Sequence, residues 1–460
     1  MSSTPLVNSL IESPDQLSED GLAMMFLEDD HTIRYCAQER IWYYFDGRRW
    51  VADRILGIPN LVREALRRKG WDILDWAEKN GDDKEVAWAK RQARRLGSFS
   101  LVSAVEKFAR GDKSIAVTPE LFDADPWILN TPGGIVDLHT GKMRPSTAGD
   151  YCTKMTTVTP AGECPMWMGF LDLVTAGDKE LQGYLQRMAG YFLTGSVREH
   201  ALFFMCGAGG NGKSTFIDTW HDILGEDYAT GLPLNALMST KGDHIPTEVA
   251  KLRGHRLAIT DETEYGKSWN EAKVKTLTGG DILCGRALYQ NLFDFHPTHK
   301  LIVAGNLKPS FRIVDDAIRR RLHLIPFEVK IESPDKEFRD RLRPEWGGIL
   351  AWAVQGCLEW QLQGLNPPGR ILVPSQEYLA EQDSLGEWIR ECCAPAGETA
   401  TRGLYSSWRA WCLMRGEEPG TMRTFSLRLA GVPKVTKARL GKDRDRGFSG
   451  ISLKAIQADT

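Results

Sequence analysis

GAGGNGKS, residues 207–214, is the stretch from which the rest of the chain is read. It fits G-x-x-x-x-G-K-[ST], with Gly207, Gly212, Lys213 and Ser214 at the fixed positions. Before it runs ALFFMC, residues 201–206, an apolar run of buried-strand length. After it, TFIDTWHDILG reads as a helix that ends at Gly225. Strand, glycine loop and helix in that order are the context that gives the motif meaning. Glycines let the backbone curl until its N–H groups point at phosphate oxygens, and the helix adds its positive amino end. Gly207, Gly209, Gly210, Asn211, Gly212, Lys213, Ser214 and Thr215 are therefore the expected nucleotide-binding residues. Lys213 has the reach for the β- and γ-phosphates, and the Ser214 hydroxyl is a magnesium ligand. A chance glycine-rich turn would not come with both flanking elements.

Length and composition bound what surrounds this loop. The chain has 460 residues, room for two to four domains of ordinary size. With 42% hydrophobic and 26% charged residues, a packed core is expected rather than global disorder. The net charge of −3 supplies no bulk attraction for nucleic acid, so any such surface is a local patch. Nine cysteines without a C-x-x-C argue against a structural zinc site and for a reducing cytoplasm. The amino terminus has no basic region followed by an apolar core, and no apolar run approaches membrane-spanning length. A cytoplasmic protein that does not associate with membranes is expected.

In chain order, residues 1–20 are polar and read as a loose lead-in. TIRYCA and IWYYFDGRRWV read as strands, with Asp46–Gly47 as a hairpin turn. Residues 55–110 are helical in pattern. They carry two basic clusters, Arg63, Arg67, Arg68 and Lys69, then Lys90, Arg91, Arg94 and Arg95; each reads as a solvated helix face in preference to a DNA contact. Asp123 and Asp125 form a D-x-D pair. Nothing nearby supplies the further ligands of a metal site, so a loop and small hairpin, turning at Gly133–Gly134 and Thr140–Gly141, is the better account. Residues 165–198 read as helical.

Downstream of the glycine loop, RLAITDE ends an apolar strand in Asp261 and Glu262. Nucleotide-hydrolysing α/β domains place a metal-binding Asp and a water-orienting Glu at the carboxyl end of a neighbouring strand. An edge strand entering an acidic turn is the competing account. KLIVAGN, residues 300–306, is a second apolar strand, and its terminal amide makes Asn306 a candidate γ-phosphate sensor, against a plain strand-ending turn. Between the two, ILCGRALY and LFDFHP flank a hairpin tip at Gln290–Asn291. DDAIRRRLHLIPFEV then sets three arginines before a strand. They are either surface residues ending a helix or, at a subunit boundary, a source of positive charge for a neighbour's γ-phosphate.

In this order the motifs resemble the superfamily III helicases, specifically the phage and plasmid primase–helicase group with its poxvirus-type relatives. GAGGNGKS resembles the phosphate loop, LAITDE the Walker B strand, and KTLTGGDILCGRALYQNLFDFHPTHK the B-prime motif and hairpin. KLIVAGNLKP resembles motif C, DDAIRRRLHLIPF the arginine-finger segment, and FDADPWILNTPGGIVDLHTG the small domain preceding the motor. The resemblance implies an AAA+-like P-loop motor (α/β) preceded by a small α+β domain. It implies ATP and Mg2+ as cofactors and a homo-hexameric ring on single-stranded or forked DNA, moving 3′ to 5′. Carried over by position, Lys213 and Ser214 serve phosphate and magnesium, Asp261 and Glu262 the metal and the water, and Asn306 is the sensor. Arg321 matches the trans finger best, with Arg320 next. Lys275, Arg286 and the tip Tyr289, Gln290, Asn291 match the central-channel DNA loop, although relatives often carry a basic residue where Gln290 stands. Many relatives carry a primase domain before this module; none is expected here, so priming would come from another protein, such as a separate primase or polymerase, or not be needed.

The expected layout is a lead-in over 1–20, the α+β domain over 21–160, the motor over 161–335 with a helical approach at 161–198, a helical linker over 336–383 and a winged-helix-like domain over 384–460. The last rests on three helical patterns followed by two strands around a charged turn. Residues 421–454 hold nine Lys or Arg against two Asp, with Arg423, Arg428, Lys437 and Arg439 as the candidate DNA contacts. A basic tail packed on the ring is the alternative. Two rival functions are an origin-binding or loading ATPase that does not unwind, and a DNA-packaging or segregation ATPase acting on duplex.

Overall fold

A computed structural model of the chain describes residues 14–29, 32–238, 247–260, 268–286, 292–306, 308, 310–311, 314–333, 335–416, 418–440 and 445–454. The chain divides into two units, residues 1–137 with 142–159 and residues 138–141 with 160–460.

In the first unit, alternating aromatic strands build a small sheet. Trp50–Ala52, Ile41–Phe45 and Ile33–Cys36 form an antiparallel meander, and Ala116–Val117 adds in parallel beside Ile33–Cys36. The turn at Asp46 works as its residues demand: its carboxylate accepts from the N–H groups of Arg48 and Arg49, both at 2.8 Å, and Gly47 sits at φ 91°. Helices Glu19–Glu28, Gly57–Asn80, Asp83–Leu96 and Phe99–Arg110 share one core with the sheet, centred on Phe26, Trp42, Leu66 and Val105. Helix Gly57–Asn80 lacks a capping side chain at its own first position; Asp53 does the job instead, accepting from Gly57 and Ile58 N–H, each at 2.8 Å. The expected loose lead-in is shorter than 1–20. Pro14–Leu17 form a 3-10 turn, and Ser18 caps the helix that starts at Glu19, because Leu17 and Leu22 have a core to enter. Residues 1–13 lie outside the described residues. A three-stranded antiparallel sheet, Ile128–Thr131, Gly134–Asp137 and Lys142–Arg144, follows. Asp123 accepts from Thr153 N–H at 2.9 Å and Asp125 from Trp127 N–H at 2.8 Å, so both acids are spent on backbone.

The second unit is built on a five-stranded sheet in the order Leu322–Pro326, Leu202–Cys206, Lys300–Gly305, Leu257–Thr260, Ala229–Gly231, parallel throughout. Strands covered on both faces read as continuous apolar runs, and LFFM and LHLIP are buried along their length. Helices Pro165–Val174 and Lys179–Phe192 lead into the first strand, and Trp346–Gln363 packs on Lys179–Phe192. That crossing brings backbone against backbone. A Cβ on Gly190 would stand 2.0 Å from Cys357 N, and one on Gly356 would stand 2.0 Å from Gln186 O. At the sheet's amino edge, Arg256 donates to Leu193 O and Lys300 to Thr194 O. The two buried side chains thereby donate to carbonyls at the end of helix Lys179–Phe192.

Helix Lys213–Tyr228 follows the glycine loop. Gly225 (φ 65°) interrupts it where the sequence predicts a stop, but one more turn follows. Residues 385–453 have their own core around Trp388, Trp408, Trp411, Phe425 and Phe448. Helices Ser384–Cys392, Thr401–Met414 and Met422–Ala430 stand with an antiparallel sheet ordered Glu398–Ala400, Asp445–Ser449, Thr436–Leu440. Among the described residues no helix is long and apolar enough to cross a membrane.

Candidate active site

The glycine loop leaves the carboxyl end of strand Leu202–Cys206 and is pinned from several sides. Asn211, 4% exposed, donates from its side-chain amide to Phe327 O, just past the neighbouring strand Leu322–Pro326. Ile331 N–H donates to Gly210 O at 2.9 Å. Gly207 is at φ 150°, and a Cβ there would meet Phe327 O at 1.9 Å. Gly212 caps the following helix in the left-handed region, φ 87°. Gly207→Ala is therefore expected to cost about 2 kcal/mol or more of local stability. Nucleotide binding should fall with it, as titration calorimetry with a non-hydrolysable analogue would register.

Lys213 is the first residue of the helix and is 6% exposed. Its ammonium donates to Gly207 O (2.7 Å), Asn211 Oδ1 (3.0 Å), Asn306 Oδ1 (3.2 Å) and Ala208 O (3.3 Å). The loop lysine and the expected sensor are thus in direct contact, although 93 residues apart. They meet because Lys300–Gly305 pairs directly with the loop strand, Gly305 level with Cys206. Ser214 is exposed beside Lys213, and Thr215 is half-buried.

One expectation changes here. The strand Leu257–Thr260 is not adjacent to the loop strand; Lys300–Gly305 lies between them. LAIT and LIVA are both apolar runs, so local sequence does not order them; only the packing of the whole sheet puts Lys300–Gly305 in the central position. Asp261 and Glu262 follow Thr260, which is level with Val303, and both lie outside the described residues. The Asn211 side chain turns inward, joining Phe327 O to the Lys213 ammonium.

The arginines lie at the other edge of the sheet. Leu202 N–H donates to Arg321 O at 2.7 Å, so Arg321 stands beside the start of the loop strand. A five-residue strand separates it from the glycine loop by about 15 Å. Arg321 is 7% exposed. Its Nε donates to Thr278 Oγ1 at 3.1 Å and its Nη1 to Ala317 O at 2.9 Å, and burial together with the charge of Arg320 lowers its pKa. Side-chain donors spent inside the fold do not fit a finger that reaches a neighbour, and this corrects the preference for Arg321. Arg319 pairs with Asp383 at 2.9 Å. Arg320 is exposed and, among the described residues, its side chain has no hydrogen bond or ion pair.

Of the expected DNA-loop residues, Lys275 is ion-paired with Asp315. Burial pushes the Asp315 carboxyl up, but hydrogen bonds from Lys275 and from Ile318 N–H outweigh it and hold it below its ordinary value. Arg286 ends strand Leu283–Arg286, which pairs with Leu292–Phe295 as a hairpin. Its tip, with Tyr289, Gln290 and Asn291, lies outside the described residues. In the C-terminal part, Arg423, Lys437 and Arg439 are exposed, while Arg428 stacks over the Trp408 ring at 5.5 Å. Phe327 and Thr278 were not expected to matter. Phe327 acts through its carbonyl, which no residue type announces, and Thr278 only by meeting Arg321.

Among the described residues no three His, Cys, Asp or Glu side chains gather as a metal site. The loop's buried ammonium and helix amino end fit a phosphate anion, and the exposed Ser214 hydroxyl beside them is the group that could ligate a phosphate-bound cation.

Comparison with known proteins follows the same outline. Residues 22–176 match the family described as D5 N terminal like, and residues 205–321 match a family of unknown function, DUF5906. A protein of Acanthamoeba polyphaga mimivirus named "putative helicase" is 23% identical over 454 residues, covering 88% of this chain and 47% of its own. A protein of the same description from Frog virus 3 (isolate Goorha) is 25% identical over 310 residues, covering 61% and 31%. One from Invertebrate iridescent virus 6 is 29% identical over 316 residues, covering 58% and 32%. The chain thus spans about half or less of the length of these relatives. The apo structure of the NrS-1 C-terminal region aligns over 94% of this chain and 99% of that one, with 10% identity and a TM-score of 0.47.

Proposed function

We propose, from the premise that this chain is a relative of the phage and viral superfamily III helicase–primases, that it is an ATP-driven DNA helicase motor. One observation carries the reading. The ammonium of Lys213 and the amide oxygen of Asn306 converge, 3.2 Å apart, at the carboxyl edge of a parallel sheet. That is where α/β folds bind ligands, and a lysine beside a strand-end amide suits a γ-phosphoryl group.

In this reading Lys213 brings positive charge to the β- and γ-phosphates, the backbone of residues 207–212 cradles them, and Asn306 senses whether the γ-phosphoryl is there. Asp261 and Glu262 follow a strand that ends beside the sensor strand, and in this reading they serve the metal and the water. Magnesium, when bound with Ser214 and Asp261 as ligands, would neutralise phosphate charge. Arg320 completes the site in trans. It stands at the opposite edge of the sheet from its own loop, so only a neighbour's nucleotide is within its reach, which supports a ring such as a homo-hexamer. The C-terminal helices and sheet, in the order helix, strand, helix, helix, strand, strand, fit a winged helix, with Arg423, Lys437 and Arg439 facing duplex phosphate. Single-stranded and forked DNA are the substrates, with a 3′ tail required.

Strand displacement on forks with 3′ or 5′ tails tests this, with Glu262→Gln as control. Displacement is expected only with the 3′ tail, and the control should lose about 10²-fold or more in hydrolysis. Hydrolysis without displacement on any fork would favour the loading ATPase.

A further inference from the structure

Helices Gly57–Asn80 and Asp83–Leu96 form an antiparallel hairpin whose charges are sorted by end. A Cβ on Gly70 would stand 3.2 Å from Ala93 Cα, which sets Arg67 and Arg68 level with Arg94–Leu96. Residues 57–71 and 86–97 together hold eight Lys or Arg and one acid, Glu64. Residues 72–85, around the turn, hold six acids and two lysines. In the second helix this order obeys helix physics: acids lie at its amino end and Arg94 and Arg95 in its last turn. In the first helix it runs the other way. Arg63, Arg67, Arg68 and Lys69 crowd its amino half, while Asp72, Asp75 and Glu78 lie toward its carboxyl end. The first turn, residues 57–60, holds no charged residue and the last turn holds Lys79 beside Glu78, so the dipole, which acts on the end turns, does not account for the sorting.

Two further features point to a partner. Arg67, Arg68, Lys90, Arg91 and Arg94 make no side-chain hydrogen bond or ion pair among the described residues, and all five are exposed. Large aromatic rings are exposed among them. Trp71, one turn beyond Arg67 on the same face, is 69% exposed, and Phe99, three residues past the second helix, is 87% exposed. The bland reading of each cluster as a solvated helix face leaves these rings unexplained.

We propose that the basic end of this hairpin is a second nucleic-acid site, separate from the motor, that holds single-stranded DNA. The unpaired cations track the phosphates, and Trp71 and Phe99 offer faces on which bases stack, a combination that binds single strands without reading sequence. The acidic end repels the same backbone and confines the strand to one half of the hairpin. This site does not depend on the ATPase reading, because it needs no nucleotide.

The test is fluorescence anisotropy of a labelled oligo-dT with nucleotide-free full chain, titrated across a range of salt. The Arg67→Glu, Arg94→Glu double variant should weaken binding at least tenfold. Loss of two phosphate contacts should make the log–log salt slope shallower by about 1.4. Arg67→Lys with Arg94→Lys should retain both. Trp71→Ala should weaken binding by about tenfold and leave the salt slope unchanged. Circular dichroism should show helix content intact, as expected for exposed positions. Unchanged affinity and slope in the charge-reversed protein would overturn the proposal. So would unchanged affinity with a shift in sedimentation, which would make the face a contact between copies of the chain.

Discussion

Lys213→Ala should reduce ATP turnover by about 10²–10³-fold, the usual cost of removing one preorganised charge from a developing anionic transition state. The protein should stay folded. The Lys213 ammonium is buried but touches only oxygens of the loop and of Asn306. Of these, the loop residue Ala208 and the side-chain end of Asn306 belong to exposed residues and can turn to water once the donor is gone. The loop itself remains clasped by Asn211 to Phe327 and by Ile331 to Gly210. Phosphate release gives the rate, and a thermal melt by circular dichroism separates lost chemistry from lost structure. A melt within a few degrees of the parent, together with a collapsed rate, is the expected pair. Turnover within tenfold of the parent in folded protein would move the γ-phosphate site away from this loop.

Much of this was legible in the sequence, and the residues show why. Local signals survive folding when one short segment carries both the pattern and its consequence. The loop at 207–214, the turn at Asp46–Gly47, the hairpin flanks at 283–286 and 292–295, and the three C-terminal helices are all of that kind. Strand order is not. LAIT and LIVA are equivalent as apolar strands, and only the packing of the whole sheet sets the second between the first and the loop strand. The inward turn of Asn211 was equally hidden, because its acceptor is a backbone carbonyl 116 residues away. The sorted charges of the helical hairpin are visible along the chain, but they become one basic end only when Gly70 meets Ala93. The three consecutive arginines are the sharpest case. Their types are identical, so sequence separates them only by likeness to relatives, whereas in the fold the rotation at the end of helix Asp316–Arg319 gives each a different fate.

The two arginines therefore part company on substitution. Arg320→Ala should cost about 10³-fold in turnover, the scale of a trans arginine on a γ-phosphoryl group, with nucleotide binding and melting temperature unchanged. Its side chain has nothing to lose inside the fold, being exposed and unpaired among the described residues. Arg321→Ala should act first on stability. It removes a buried guanidinium that donates to Thr278 Oγ1 and Ala317 O at the start of the strand Leu322–Pro326. Unsatisfied buried acceptors cost about 1–3 kcal/mol each, although the Thr278 hydroxyl keeps its own bond to Val274 O at 2.7 Å, which places the loss toward the lower end. Urea unfolding measures that loss, and steady-state hydrolysis with single-stranded DNA present measures turnover. Mixing Arg320→Ala with Lys213→Ala subunits adds a geometric check. A mixed ring contains interfaces where an intact Arg320 faces an intact Lys213, so activity above that of either variant alone indicates a shared site. If Arg320→Ala hydrolyses ATP at the parental rate while folded Arg321→Ala loses 10³-fold, the buried arginine must swing out on assembly. The ring interface would then have to break its bonds to Thr278 and Ala317 to complete the site.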